Sequence, residues 1–200
     1  MPRSQVAITI VLLGITVACS PRDFLTRRLA TDLIAGSDSF KITQQFWLRT
    51  GVISNKDYMS PEYVTLRRRG WITGNTVACP PEINVPPCWD MVITPLGVDA
   101  LRDWVSASAA SSQYISVPVA QRELLAVTGI HKDGSLADVD FHWRWAAVNE
   151  VGAALYAKNT EYYSTVGFIH YDDGWRVIEG GAAKGNQSLN EALKNAAPAQ

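Results

Sequence analysis

From Ala137 to Trp145 apolar and polar residues alternate one for one. Ala137, Val139, Phe141, Trp143 and Trp145 fall on one parity, and Asp138, Asp140, His142 and Arg144 fall on the other. Successive side chains of a strand point to opposite faces, so this run predicts a strand with an aromatic buried side and a wet one. Residues 116–130 predict a long strand before it, closed by the turn signal Lys132-Asp133-Gly134. Residues 161–171 and 175–179 flank a second such signal, Asp172-Asp173-Gly174. Together the four segments predict an antiparallel meander.

Earlier in the chain the period lengthens. Leu25, Leu29 and Leu33 recur every four residues beside Ile34, which predicts a helix over residues 23–35 stopped by Gly36. Ser60-Pro61 is a helix start, a capping hydroxyl followed by proline in the first turn; that helix carries Tyr63, Val64 and Leu66 and ends at Gly70. Residues 71–78 and 89–94 predict two strands around the loop CPPEINVPPC. Thr94-Pro95 repeats the start signal, and Val98, Leu101, Trp104 and Val105 form the next apolar stripe. Near the C-terminus Ser188 and Glu191 match a capping box, with Leu189, Ala192, Leu193 and Ala196 on one edge.

The expected fold class is α+β: a small helical segment with a disulfide-closed β-hairpin, followed by an antiparallel four-stranded curved sheet with a packed helix. The expected organisation is a signal peptide over residues 1–18, an α/β segment over 19–109, a β-meander over 110–183 and a tail with a short helix over 184–200. A Ser/Ala stretch at 106–113 marks the join.

The first twenty residues change the picture. Arg3 is followed by an uncharged apolar run from Val6 to Ala18, then by Cys19, and Pro21, Arg22 and Asp23 close it off. This is the three-part layout of a secretory leader, and it is too short to span a bilayer, which takes roughly 20 helical residues. Thr16-Val17-Ala18-Cys19 resembles a bacterial lipobox, with Thr16 where leucine is usual. The resemblance implies lipid attachment at Cys19, and Ser20 after it implies sorting to an outer membrane. Thr16 and Ala18 also suit ordinary small-x-small cleavage.

Hydrophobic residues make up 47% of the chain and charged residues 18%, a globular balance able to bury a core. Removing Arg3 from the 18 basic residues leaves 17 against 19 acidic, so no field of one sign is available to draw in nucleic acid. The chain has three cysteines, an awkward number in an oxidising compartment. Lipid on Cys19 removes one and leaves Cys79 and Cys88, whose spacing fits a disulfide better than a zinc site, which needs more ligands than two thiols.

Two further resemblances concern shape. PEYVTLRRRGWITG…MVITPLGVDALRDW resembles a winged-helix module, which implies that Arg67, Arg68 and Arg69 could meet phosphates. Export and the near-neutral charge argue against nucleic acid, and three arginines at a helix C-terminus also complement its dipole. FIHYDDGWRVIE is similar to the last hairpin of nuclear-transport-factor-like and cystatin-like cone domains. That likeness implies a helix over residues 98–109 lying across the curved sheet.

Candidate chemistry is sparse. Asp138, Asp140 and His142 share one strand face, where two could hold a cation or pass a proton, or all three could simply be solvated. Gly36-Ser37-Asp38-Ser39-Phe40 is superficially like a lipolytic Gly-Asp-Ser block, but its order and helix-end position fit a cap. No G-x-S-x-G elbow, P-loop, dinucleotide fingerprint or HExxH occurs, which does not exclude catalysis but leaves no catalytic residue, metal or cofactor assigned. Trp143, Trp145, Trp175, Tyr162, Tyr163 and Phe168 could line a pocket inside the sheet or fill its core. The expected protein is a membrane-anchored, non-enzymatic binding or interaction protein of the cell envelope; the alternative is a small-molecule-binding or enzymatic cone-shaped domain with a pocket inside the curved sheet. Its partners would be the membrane, through the anchor, and an unidentified protein or small ligand.

Overall fold

The computed structural model describes residues 24–83, 85–107, 114–156, 159–181 and 185–199. Cys19 and the leader lie outside them.

The helices start where hydroxyl or amide side chains can take up free backbone N–H groups. Thr26 caps α1 (Arg27–Gly36), which begins four residues beyond the expected start, and Ser37 caps α2 (Asp38–Lys41). β1 (Gln44–Arg49) and β2 (Gly51–Ser54) follow, two strands the sequence pattern does not announce. Ser54 caps α3 (Asn55–Tyr58) and Ser60 caps α4 (Pro61–Arg68). β3 (Ile72–Val77) and β4 (Cys88–Ile93) then form the expected pair. Thr94 caps α5 (Pro95–Ala100), and the helix expected over residues 98–109 is interrupted at Leu101 before α6 (Arg102–Ala107).

The second half holds the meander. β5 (Tyr114–Asp133) and β6 (Leu136–Ala147) pair across the Gly134 turn, α7 (Glu150–Leu155) leads to β7 (Glu161–Tyr171), and β8 (Gly174–Val177) returns. α8 (Leu189–Lys194) carries the expected capping box, and β9 (Ala197–Pro198) adds a short edge. The larger sheet runs β1-β5-β6-β7-β8, with β9 on β7; all its pairs are antiparallel. The smaller sheet has the order β2-β4-β3. Cys79 and Cys88 are joined by a disulfide that closes the loop between β3 and β4.

Two cores meet along β5. Phe141, Trp143, Phe168 and Trp175 of the larger sheet are buried under Ala30 and Ile34 of α1, Phe40 of α2 and Leu189, Ala192 and Leu193 of α8. Ile115, Val117 and Val119, near the start of β5, belong instead to a core with Tyr63, Leu66, Met91 and Leu101. α1 and α8 therefore cover the inner face of the sheet. α5 and α6 do not lie across that face: Leu101, Trp104 and Val105 enter the other core.

Candidate functional site

On the outer face the alternation of β6 is borne out: Ala137, Val139, Phe141 and Trp143 are buried, while Asp138, Asp140 and His142 are half-buried. Each of the three polar residues has its own neighbour. Asp138 Oδ1 accepts from Asn186 Nδ2 at 2.8 Å, and Asp140 Oδ1 accepts from the Thr165 hydroxyl at 2.6 Å. The His142 ring meets Tyr163 edge to face at 5.5 Å. Thr165's hydrogen bond pulls the Tyr163 hydroxyl down in pKa, but Asp140's bond and charge and partial burial leave it raised. Among the described residues no three His, Cys, Asp or Glu side chains stand together as metal ligands. His131 faces Asp138 across β5 and β6, whereas His170 tilts against Trp175 at 4.9 Å. The structure does not gather the histidines into one site.

The other singled-out residues have structural partners. Ser37 caps α2, as its helix-end position implies, and the Ser39 hydroxyl donates to Glu179 Oε2 at 2.8 Å. Arg67 lies over the Tyr58 ring at 4.1 Å, and Tyr58 stacks on Trp89 at 4.3 Å. Arg68 and Arg69 are exposed at the end of α4.

The aromatic set divides. Trp143 and Trp175 are 2% and 5% exposed, and Phe168 is fully enclosed, so these fill the core. The Trp143 indole N–H donates to the Ser164 hydroxyl at 3.0 Å, which in turn donates to the Ala192 carbonyl of α8 at 3.1 Å. Tyr163 is exposed on the outer face.

Trp145 and Tyr162 share the inner-face parity but lie beyond the helices that cover it. There they border a cleft of about 400 Å3, within the roughly 300–1,000 Å3 of small-molecule sites. Tyr156, Asn159 and Thr160 line it between α7 and β7, and Thr65 faces it from α4. Pro61, Ala154 and Leu155 complete the wall.

The rings are held in a network. Tyr162 stacks on Trp143 at 4.7 Å, Trp143 meets Trp145 edge-on at 5.5 Å, and Trp145 lies 6.2 Å from Tyr156. Behind them the Arg122 guanidinium sits 4.7 Å from the Trp145 ring and donates to the Ser39 carbonyl at 2.9 Å. Burial lowers the Arg122 pKa. Burial, then the charge of Glu62 and the neighbouring Tyr162, push the Tyr156 hydroxyl up, so it stays a neutral donor at physiological pH. Asn159 has φ of 51°, a left-handed conformation that asparagine tolerates better than most residues.

α7 reaches its place through a close backbone approach. Asn149 caps it through Gly152 N at 2.9 Å, and its amide also donates to the Pro118 carbonyl of β5. Sequence reasoning does not find this cleft, because its walls come from α4, β6, α7 and β7. Asn149 followed by Glu150 was the available sign of a helix start. Searches against protein-family models, curated proteins and solved structures found no match to this chain.

Proposed function

We propose that this chain is an exported cell-envelope protein, anchored by lipid on Cys19, that acts by binding a small ligand in the cleft beside Trp145. The observation that carries the export reading is the Cys79–Cys88 disulfide. Such bonds persist in oxidising compartments, and pairing these two of the three cysteines leaves Cys19 for the anchor. The leader layout and lipobox-like residues point the same way. Several acyl chains, each buried CH2 contributing about 0.8 kcal/mol, would make attachment stable.

The anchor also gives the cleft a direction. Phe24 lies by the Lys132 ammonium, 5.8 Å from it, near the β5–β6 turn. Five chain steps from Cys19 to Phe24 extend at most about 18 Å. The cleft is at the far end of β6, where Trp145 lies nine steps from Leu136, roughly 30 Å away along a strand. The lipid would therefore hold the turn end towards the bilayer and leave the cleft facing away.

The test is fractionation of cells expressing the full chain and Cys19→Ala, with non-reducing electrophoresis. The wild type should sediment with membranes in the oxidised form, and the variant should lose that attachment. Wild-type protein recovered from the cytosol with Cys79 and Cys88 reduced would overturn the proposal.

A further inference from the structure

We infer that the cleft beside Trp145 binds a neutral saccharide; the inference rests on the binding reading above and names its ligand class. Two features set the class. Trp145, Tyr156 and Tyr162 contribute aromatic rings to the walls. The face of such a ring is electron-rich, and the C–H groups on the apolar face of a pyranose carry slight positive charge, so the two stack. The polar lining is Asn159, Thr160 and Thr65, whose amide and hydroxyl groups both donate and accept, as sugar hydroxyls do.

The lining disfavours the other classes. Among the described residues no Lys, Arg or His lines the cleft to neutralise an anion, and no Asp or Glu lines it to hold a cation, although the charge of Glu62 reaches Tyr156. Arg122, the nearest cation on the aromatic network, is committed to the Trp145 ring and the Ser39 carbonyl. A plain acyl chain would leave the amide and hydroxyl groups of the lining without polar partners from the ligand, whereas a saccharide meets both kinds of surface.

Rigid walls favour this use. Tyr162 is backed by Trp143, which is itself fixed by Ser164, so the aromatic surface is in place before a ligand arrives. Asn159, in its left-handed conformation, contributes an amide to the lining. A cleft with no charged side chain among its described lining residues, which points away from the membrane, suits the end of a glycan rather than a lipid.

The experiment uses the full-length protein purified from membranes in a detergent without a sugar headgroup. Chitotriose and maltotriose are titrated while tryptophan emission and calorimetric heat are followed; tetramethylammonium and a short-chain fatty acid serve as rival probes. At least one saccharide should give saturable binding that weakens about tenfold or more in Trp145→Ala. Asn159→Gly, which suits the left-handed backbone and removes the amide-bearing side chain, should weaken it too while the circular dichroism spectrum is unchanged. Asp140→Ala, on the outer face, should leave it unaltered. No saturation by either sugar, or binding indifferent to both cleft variants, would overturn the inference. A rival probe that binds and is lost in Trp145→Ala would overturn the saccharide but keep the cleft; silence from every probe would remove both.

Discussion

A Cβ added to Gly152 would stand 1.8 Å from the carbonyl oxygen of Val119. α7 thus lies directly on the backbone of β5, and the cleft wall formed by Ala154, Leu155 and Tyr156 follows from that approach. Gly152→Ala must push the helix off the strand. Overpacking of this kind costs about 1–3 kcal/mol. Thermal melting should show a drop of roughly 2–4 °C per kcal/mol, and any ligand of the cleft should bind more weakly.

Ser164 is a buried polar residue that satisfies both Trp143 and the Ala192 carbonyl. Ser164→Ala strands the indole N–H in a closed core, at a cost of about 1–3 kcal/mol in chemical denaturation. Trp143→Phe removes the donor. The double variant should therefore lose less than the two single losses added together, because the residues are coupled.

These two cases show what the sequence makes legible. The alternation along β6, the Asp-Gly turns and the Ser188–Glu191 box are local patterns, and each element stands where its pattern puts it. β1 escapes notice because it is an edge strand: Leu48 is its one buried residue and Trp47 is 60% exposed, so no alternation marks it. α7 is short and carries a glycine that intrinsic propensity counts against a helix. The glycine is needed because the carbonyl of Val119, thirty-three positions earlier, leaves no room for a Cβ, and no local window contains that contact. The choice of α1 and α8 as the inner-face cover is likewise tertiary. Residue type alone could not separate Trp143, under those helices, from Trp145 just past their edge.

The Cys79–Cys88 bond closes a short loop, so it limits the unfolded chain. Replacing both cysteines by alanine should cost about 2–3 kcal/mol on the chain-entropy account. Denaturant titration of the oxidised protein and the double variant would measure it, and added reductant should destabilise the former alone.

Glu191 accepts from both the hydroxyl and the backbone N–H of Ser188, and these bonds hold its carboxylate below the ordinary value of 4.5. A depressed folded-state pKa means the contribution is complete above the unfolded value and fades as pH falls through the folded one. Melting temperature followed from about pH 7 to about pH 3 should therefore fall more in wild type than in Glu191→Gln, with the excess confined to the region below 4.5.

Mass spectrometry of the N-terminal peptide, taken from protein isolated with membranes, tests the proposed anchor most directly. The proposed processing predicts a chain that begins at Cys19 and carries added acyl mass. An unmodified cysteine in a chain that still begins at Met1, recovered from the cytosol, would contradict it.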